Sequence, residues 1–155
     1  MKIQSPSVLL VDDDLSLQRM LSLFLEREGC RIDLAGDGEE ALRKLRKNRY
    51  TTILLDLLMP RVNGFEVLQD LRALQPDVLP DVAVLTGASD GTLAYFQENG
   101  ICSLLRKPVD RTEVLEVIDA CAERHGVSRP SRSSSWRSSL SSAAKSGRVS
   151  FRSNS

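Results

Sequence analysis

Short apolar runs alternate with stretches in which apolar residues recur every three or four positions. The runs Val8–Val11, Ile32–Ala35, Ile53–Leu55, Val82–Leu85 and Ser103–Leu105 have the length and near-continuous apolar character of strands covered on both faces. Between them the period lengthens. From Asp14 to Glu28, Leu17, Met20, Leu21 and Phe24 fall on one helical stripe. Asp14 is placed to cap that helix, and Gly29 to end it. From Asp37 to Lys47, Ala41, Leu42 and Leu45 form a stripe, with acids first and bases last, the order that suits a helix dipole. Gly64 to Leu74 carries Phe65, Leu68 and Leu71, and Arg111 to Arg124 carries Val114, Val117, Ile118 and Cys121. The weakest helical pattern, residues 91–99, is short and starts with glycine.

Five strand-then-helix units predict parallel strands joined by right-handed crossovers. The expected fold is a three-layer α/β sandwich: a (βα)5, doubly wound parallel sheet in the flavodoxin-like order 2-1-3-4-5. A barrel would need eight units.

The pattern stops near residue 125, so we expect a domain over residues 1–125 and a Ser/Arg-rich tail over 126–155. Thirteen of those thirty residues are serine, none is acidic, and Trp136, Leu140, Val149 and Phe151 stand isolated. Such a segment buries too little apolar surface to offset its ordering entropy and is expected to be disordered. The two parts differ in charge: residues 1–125 hold 15 Lys and Arg against 21 Asp and Glu, and the tail holds six cations. That asymmetry bears on partners, not on fold. The tail could meet nucleic acid only through weak nonspecific electrostatics, and nucleic acid is not an expected partner. The three scattered cysteines suggest neither a zinc site nor a disulfide framework. With no apolar leader and no run long enough for a membrane span, the expectation is a cytoplasmic protein without a membrane partner.

The chemistry lies where the strands end. Asp12 and Asp13 follow Val8–Val11, and Asp56 follows Ile53–Leu55. In an open parallel sheet, ligands bind at the carboxyl edge of the strands, so these acids are expected to converge there. Three clustered carboxylates repel one another, and a hard divalent cation such as Mg²⁺ relieves the repulsion with few protein ligands. Asp13 and Asp56 could ligate directly, Asp12 through water, and the Leu58 backbone carbonyl could add a further oxygen. A carboxylate beside Mg²⁺ can act as a nucleophile toward phosphorus. Thr86 and Lys107 close the fourth and fifth apolar runs and belong to the same edge, where a hydroxyl and a cation would meet phosphoryl oxygens.

Taken in order, Leu9-Leu10-Val11-Asp12-Asp13-Asp14, Asp56-Leu57-Leu58-Met59-Pro60 with Gly64 beyond it, Val84-Leu85-Thr86-Gly87 and Lys107-Pro108 closely resemble the receiver domain of bacterial two-component response regulators. The resemblance spans Pro6 to Arg124. It implies that Asp56 accepts a phosphoryl group from a sensor histidine kinase or phosphotransfer protein, with Mg²⁺ held by Asp12, Asp13, Asp56 and the Leu58 carbonyl. It implies that Lys107 contacts the phosphoryl oxygens and that Thr86 gains a hydrogen bond on phosphorylation. It further implies a cis bond between Lys107 and Pro108, which only an X–Pro pair makes inexpensive. Such a protein signals by a conformational switch to a downstream protein partner, with a homodimer through the face of the fourth and fifth helices and the fifth strand as one outlet. It is not an enzyme beyond its own phosphotransfer and dephosphorylation.

Two features depart from the family pattern. Leu104 stands three positions before Lys107, where an aromatic switch residue is usual, and Tyr95 and Phe96 are the nearby rings. The Thr86-to-Lys107 spacing is one residue short, with the shortening expected near Ser89 to Gly91. Leu104 keeps open a second reading, a pseudo-receiver scaffold not regulated by phosphorylation. An aspartyl phosphatase is disfavoured, because Leu58 holds the position where such enzymes need a second Asp.

Overall fold

The computed structural model describes residues 5–87, 100–130 and 149–150, the last two through their backbone alone. Strands β1 (Ser7–Val11), β2 (Arg31–Ala35), β3 (Thr52–Asp56), β4 (Val82–Thr86) and β5 (Ser103–Arg106) pair in parallel in the order β2-β1-β3-β4-β5. Helices α1 (Leu15–Arg27), α2 (Gly38–Lys47), α3 (Gly64–Leu74) and α4 (Arg111–Arg124) accompany them. The expected flavodoxin-like arrangement is present. The helical pattern over residues 91–99 lies outside the described residues.

The core divides by strand parity, because successive side chains leave a strand on opposite faces. Leu9, Val11, Ile53, Leu55, Val82, Val84 and Leu104 meet Ala41, Leu45, Val67, Leu68 and Leu71 on one face. Val8, Leu10, Leu54, Ala83, Leu85 and Leu105 meet Leu21, Leu25, Val114, Val117, Ile118 and Cys121 on the other. Each fully buried Leu, Ile or Val contributes roughly 1.5–3 kcal/mol of transfer free energy. Asp14 caps α1 as expected, accepting from the Ser16 and Leu17 N–H groups, and Asp37 caps α2, accepting from that of Glu40.

Two local features differ from expectation. On α1 the buried stripe is Gln18, Leu21 and Leu25, while Met20 is exposed. The stripe is rotated because the helix sits on the sheet around Leu21, which places Met20 toward solvent. A 3₁₀ segment over Pro76–Asp81 precedes β4. Its two prolines carry no helical periodicity that would announce it. Buried Asp81 takes the Arg124 guanidinium at 2.9 Å and His125 Nε2 at 2.9 Å, which ties this segment to the end of α4.

The chain also remains packed beyond the expected boundary at Gly126. The Val127 N–H donates to the Ala122 carbonyl. The buried Arg129 guanidinium grips both carboxylate oxygens of Asp119, at 2.7 and 2.9 Å, and reaches Glu28 Oε2 at 3.0 Å. Composition alone hides this clasp, since its partners lie on α4 and at the end of α1. Pro130 closes over Gly29, whose φ of +89° suits glycine and where a Cβ would stand 2.7 Å from the proline ring. The expected tail lies outside the described residues from 131 to 148 and from 151 to 155. Val149–Ser150 (β6) pairs antiparallel with Ser103 and Leu104 of β5.

Candidate functional site

Strand register brings the acids together. Val11 lies beside Leu55 in the parallel β1–β3 pair, so Asp12, one residue on, leaves the sheet next to Asp56. Asp56 stands beside Leu85 of β4, which puts Thr86 one step further along the same edge. The Lys107 N–H donates to the Thr86 carbonyl at 2.9 Å, delivering the lysine from β5 to this rim. The Lys107–Pro108 bond is cis, as expected.

Asp12, Asp13 and Asp56 each offer a carboxylate oxygen, and these oxygens lie within 4.8 Å of one another. Asp12 and Asp56 are buried, and Asp13 is exposed. Lys107 Nζ reaches Asp12 Oδ2 at 3.0 Å and Asp56 Oδ2 at 3.4 Å. Backbone donors fix the remaining lone pairs: the Asp14 N–H donates to Asp12 Oδ1 at 2.9 Å, and the Leu58 N–H to Asp56 Oδ1 at 3.2 Å.

The electrostatics follow from this crowding. Burial, and then the Asp12 carboxylate, push the Asp56 carboxyl above the usual range, against the opposing pull of the Leu58 N–H and Lys107. Burial draws Lys107 down, but its hydrogen bond to Asp12 and the two carboxylate charges outweigh that, and the ammonium is held above its ordinary value. One ammonium faces three carboxylates. Hard oxygen donors with a residual negative charge, on an edge open at Asp13, fit a small divalent cation.

Other expected residues fall as follows. The Leu58 side chain is exposed, beside the rim. Thr86 is buried at the end of β4. Leu104 is buried in the core beside Val84, one strand in from the sheet edge formed by β6. Tyr95, Phe96 and the segment from Ser89 to Gly91 lie outside the described residues. Gly64 allows α3 to begin against the Asp56 loop. A Cβ there would stand 2.4 Å from the Asp56 carbonyl oxygen and 2.6 Å from Leu57 Cα.

One site residue escaped the sequence reading. Gln18 is buried on α1 and its Nε2 donates to the Asp12 carbonyl at 2.7 Å and the Ala35 carbonyl at 3.0 Å. The available signal was a polar residue three positions before Leu21 on the inward stripe.

The chain is similar to known proteins along most of its described length. Residues 8–119 match the response regulator receiver domain. The transcriptional regulatory protein CpxR homolog of Haemophilus influenzae is 36% identical over 117 residues, covering 76% of this chain and 50% of that protein. The transcriptional regulatory protein GlrR of Escherichia coli is 31% identical over 133 residues, covering 86% of this chain and 29% of that protein. This chain therefore spans half or less of the length of these two relatives. Among solved structures, the Francisella response regulator 1452 receiver domain superposes with a TM-score of 0.72 at 27% identity, covering 78% of this chain and 99% of that one. Chemotaxis protein CheY4 of Vibrio cholerae superposes at 0.68 with 28% identity, covering 76% and 99%. With the acids of β1 and β3 and the lysine after β5 gathered on one rim, the chain belongs to the response regulator receiver domain family.

Proposed function

We propose that Asp56 accepts a phosphoryl group from a histidine kinase or phosphotransfer protein and that the protein signals through the resulting change of conformation. The observation that carries this reading is the bridge from Lys107 to both Asp12 and Asp56 within the three-carboxylate cluster. Asp12, Asp13 and Asp56 would hold Mg²⁺, with the Leu58 carbonyl as a further oxygen. Bound there, the cation neutralises charge on the transferring phosphoryl group. The Asp56 carboxylate is the nucleophile, and the Leu58 N–H and Lys107 orient it. Lys107 then follows the phosphoryl oxygens, and the Thr86 hydroxyl at the end of β4 supplies the hydrogen bond that distinguishes the phosphorylated state.

The receiver unit spans residues 1–130 in this reading, and the remainder is a linker or partner segment. No described helix is long and apolar enough to cross a membrane; a cytoplasmic location accords with a kinase-facing receiver. The expectation that nucleic acid is not a partner finds no support among the relatives. Relatives of greater length are named as transcriptional or DNA-binding regulators, and an output reaching DNA, directly or through a protein partner, is consistent with that. The pseudo-receiver alternative rests on Leu104, whose aliphatic side chain is fixed in the core.

The test is to add Mg²⁺ with acetyl phosphate or beryllofluoride and follow amide shifts around Asp56. Wild type should respond and Asp56→Asn should not. An equal response from both would overturn the reading.

A further inference from the structure

On the β5–α4 side of the sheet, two cysteine sulfurs meet. Cys102 Sγ and Cys121 Sγ lie 3.3 Å apart. Cys102 immediately precedes β5 and is partly exposed, while Cys121 is fully buried on α4. The Arg124 guanidinium stands 3.5 Å from Cys121 Sγ. All three cysteines of the chain are thiols in this structure.

We propose that Cys102 and Cys121 form a reversible intramolecular disulfide, with a hydroperoxide as oxidant. The bond requires the sulfurs to close from 3.3 Å to about 2.05 Å. Cys102, the accessible member, attacks the peroxide as its thiolate. A Cys102 S–O bond forms, the O–O bond breaks, and the leaving oxygen takes a proton to depart as water or an alcohol. Cys121 then attacks the sulfenic sulfur, the S–S bond forms, and the hydroxyl leaves as water with the Cys121 proton. Two electrons pass from the thiol pair to the peroxide. The hydrogen bond to Cys102 and burial push the Cys121 thiol up, so the first attack falls to the accessible Cys102. Arg124, beside the pair, favours negative charge developing on sulfur.

The third thiol is an internal control. Cys30 is buried, and burial pushes it up to about 12 despite the nearby Arg129. Buried and outside the Cys102–Cys121 contact, Cys30 is expected to stay reduced in the folded protein. The bridge closes a loop across a separation of 19 residues, containing Leu104, Lys107 and Pro108, and so staples β5 to α4. It requires nothing of Asp56.

The experiment treats the reduced full chain with hydrogen peroxide near stoichiometry, then alkylates it under denaturing conditions and reads its mass. The expected product has lost two hydrogens, takes alkylation only at Cys30, yields a Cys102–Cys121 cross-linked peptide and returns to three free thiols with dithiothreitol. Cys121→Ser should stop at a sulfenic acid on Cys102, trapped by dimedone, and Cys102→Ser should leave Cys121 reduced. The oxidised form should melt higher by on the order of 10 °C, as expected for a loop of this size. The proposal is overturned if wild type resists oxidation, bridges Cys30, links between molecules, or accumulates oxygen on Cys102 without the cross-link.

Discussion

The Lys107 ammonium stands 3.0 Å from Asp12 Oδ2, joining residues 95 positions apart across the strand-end rim. Asp12 is wholly buried, whereas the lysine side chain is about one-third exposed. Replacing the lysine leaves a buried carboxylate without its cation. Lys107→Met is expected to cost about 1–3 kcal/mol, less than a fully buried pair because solvent screens the lysine end. Urea unfolding with and without the substitution measures it. The pH dependence has a definite sign. Because the folded ammonium is held above its ordinary value, its stabilisation is complete below the unfolded lysine value and is lost as pH rises through the folded one. Wild type and Lys107→Met should therefore converge in stability at strongly alkaline pH.

Asp56 works in the opposite sense. Burial and the Asp12 charge raise its carboxyl, so the fold retains a proton that the unfolded chain has released. Stability falls as pH rises from the ordinary carboxylate value through the folded one, and the cost stays in place above it. Without divalent metal at neutral pH, Asp56→Asn should be more stable than wild type. That advantage should vanish below the ordinary carboxylate range. Adding Mg²⁺ should raise the melting temperature of wild type more than that of the variant. Thermal melts across pH, with and without Mg²⁺, check all three statements.

Gly64→Ala places a methyl group against backbone that cannot rotate aside, at 2.4 Å from the Asp56 carbonyl oxygen. Either α3 or the Asp56 loop must retreat. The expected cost is about 1–3 kcal/mol, together with weakened beryllofluoride binding through displacement of the Asp56 loop. Unchanged binding affinity in the folded variant would show that the loop tolerates the shift.

The clasp at Arg129 makes a prediction about where the folded unit ends. A chain ending after Pro130 keeps the clasp and should lose no more stability than the two-residue β6 pairing supplies. One ending after Gly126 should lose about 1–3 kcal/mol, because Asp119 and Glu28 lose a largely buried guanidinium. Arg129→Ala should reproduce most of that loss, and chemical unfolding of the three proteins decides it.

The acidic rim was readable because each of its members follows an apolar run, and parallel strands align their ends. Asp12, Asp56, Thr86 and Lys107 needed only the strand order to be brought to one edge. The start of α1 was readable for the same local reason, with Asp14 capping as expected. What stayed hidden depends on partners remote in sequence. Arg129 looks like any tail cation until Asp119 and Glu28 are placed around it. The Cys102–Cys121 contact has no spacing signature, since it joins a strand start to the far turn of a helix. Met20 was misassigned because a helical stripe fixes a period and not its phase.

Gln18 gives the rim an orientation that a carboxylate could not supply. Its amide nitrogen carries two hydrogens and meets two carbonyl oxygens, at Asp12 and Ala35, one for each. Exchanging that nitrogen for oxygen, as glutamate does, would set lone pair against lone pair at both contacts and add a fourth negative charge behind the acids. The joint between α1 and the ends of β1 and β2 thus depends on the identity of one atom.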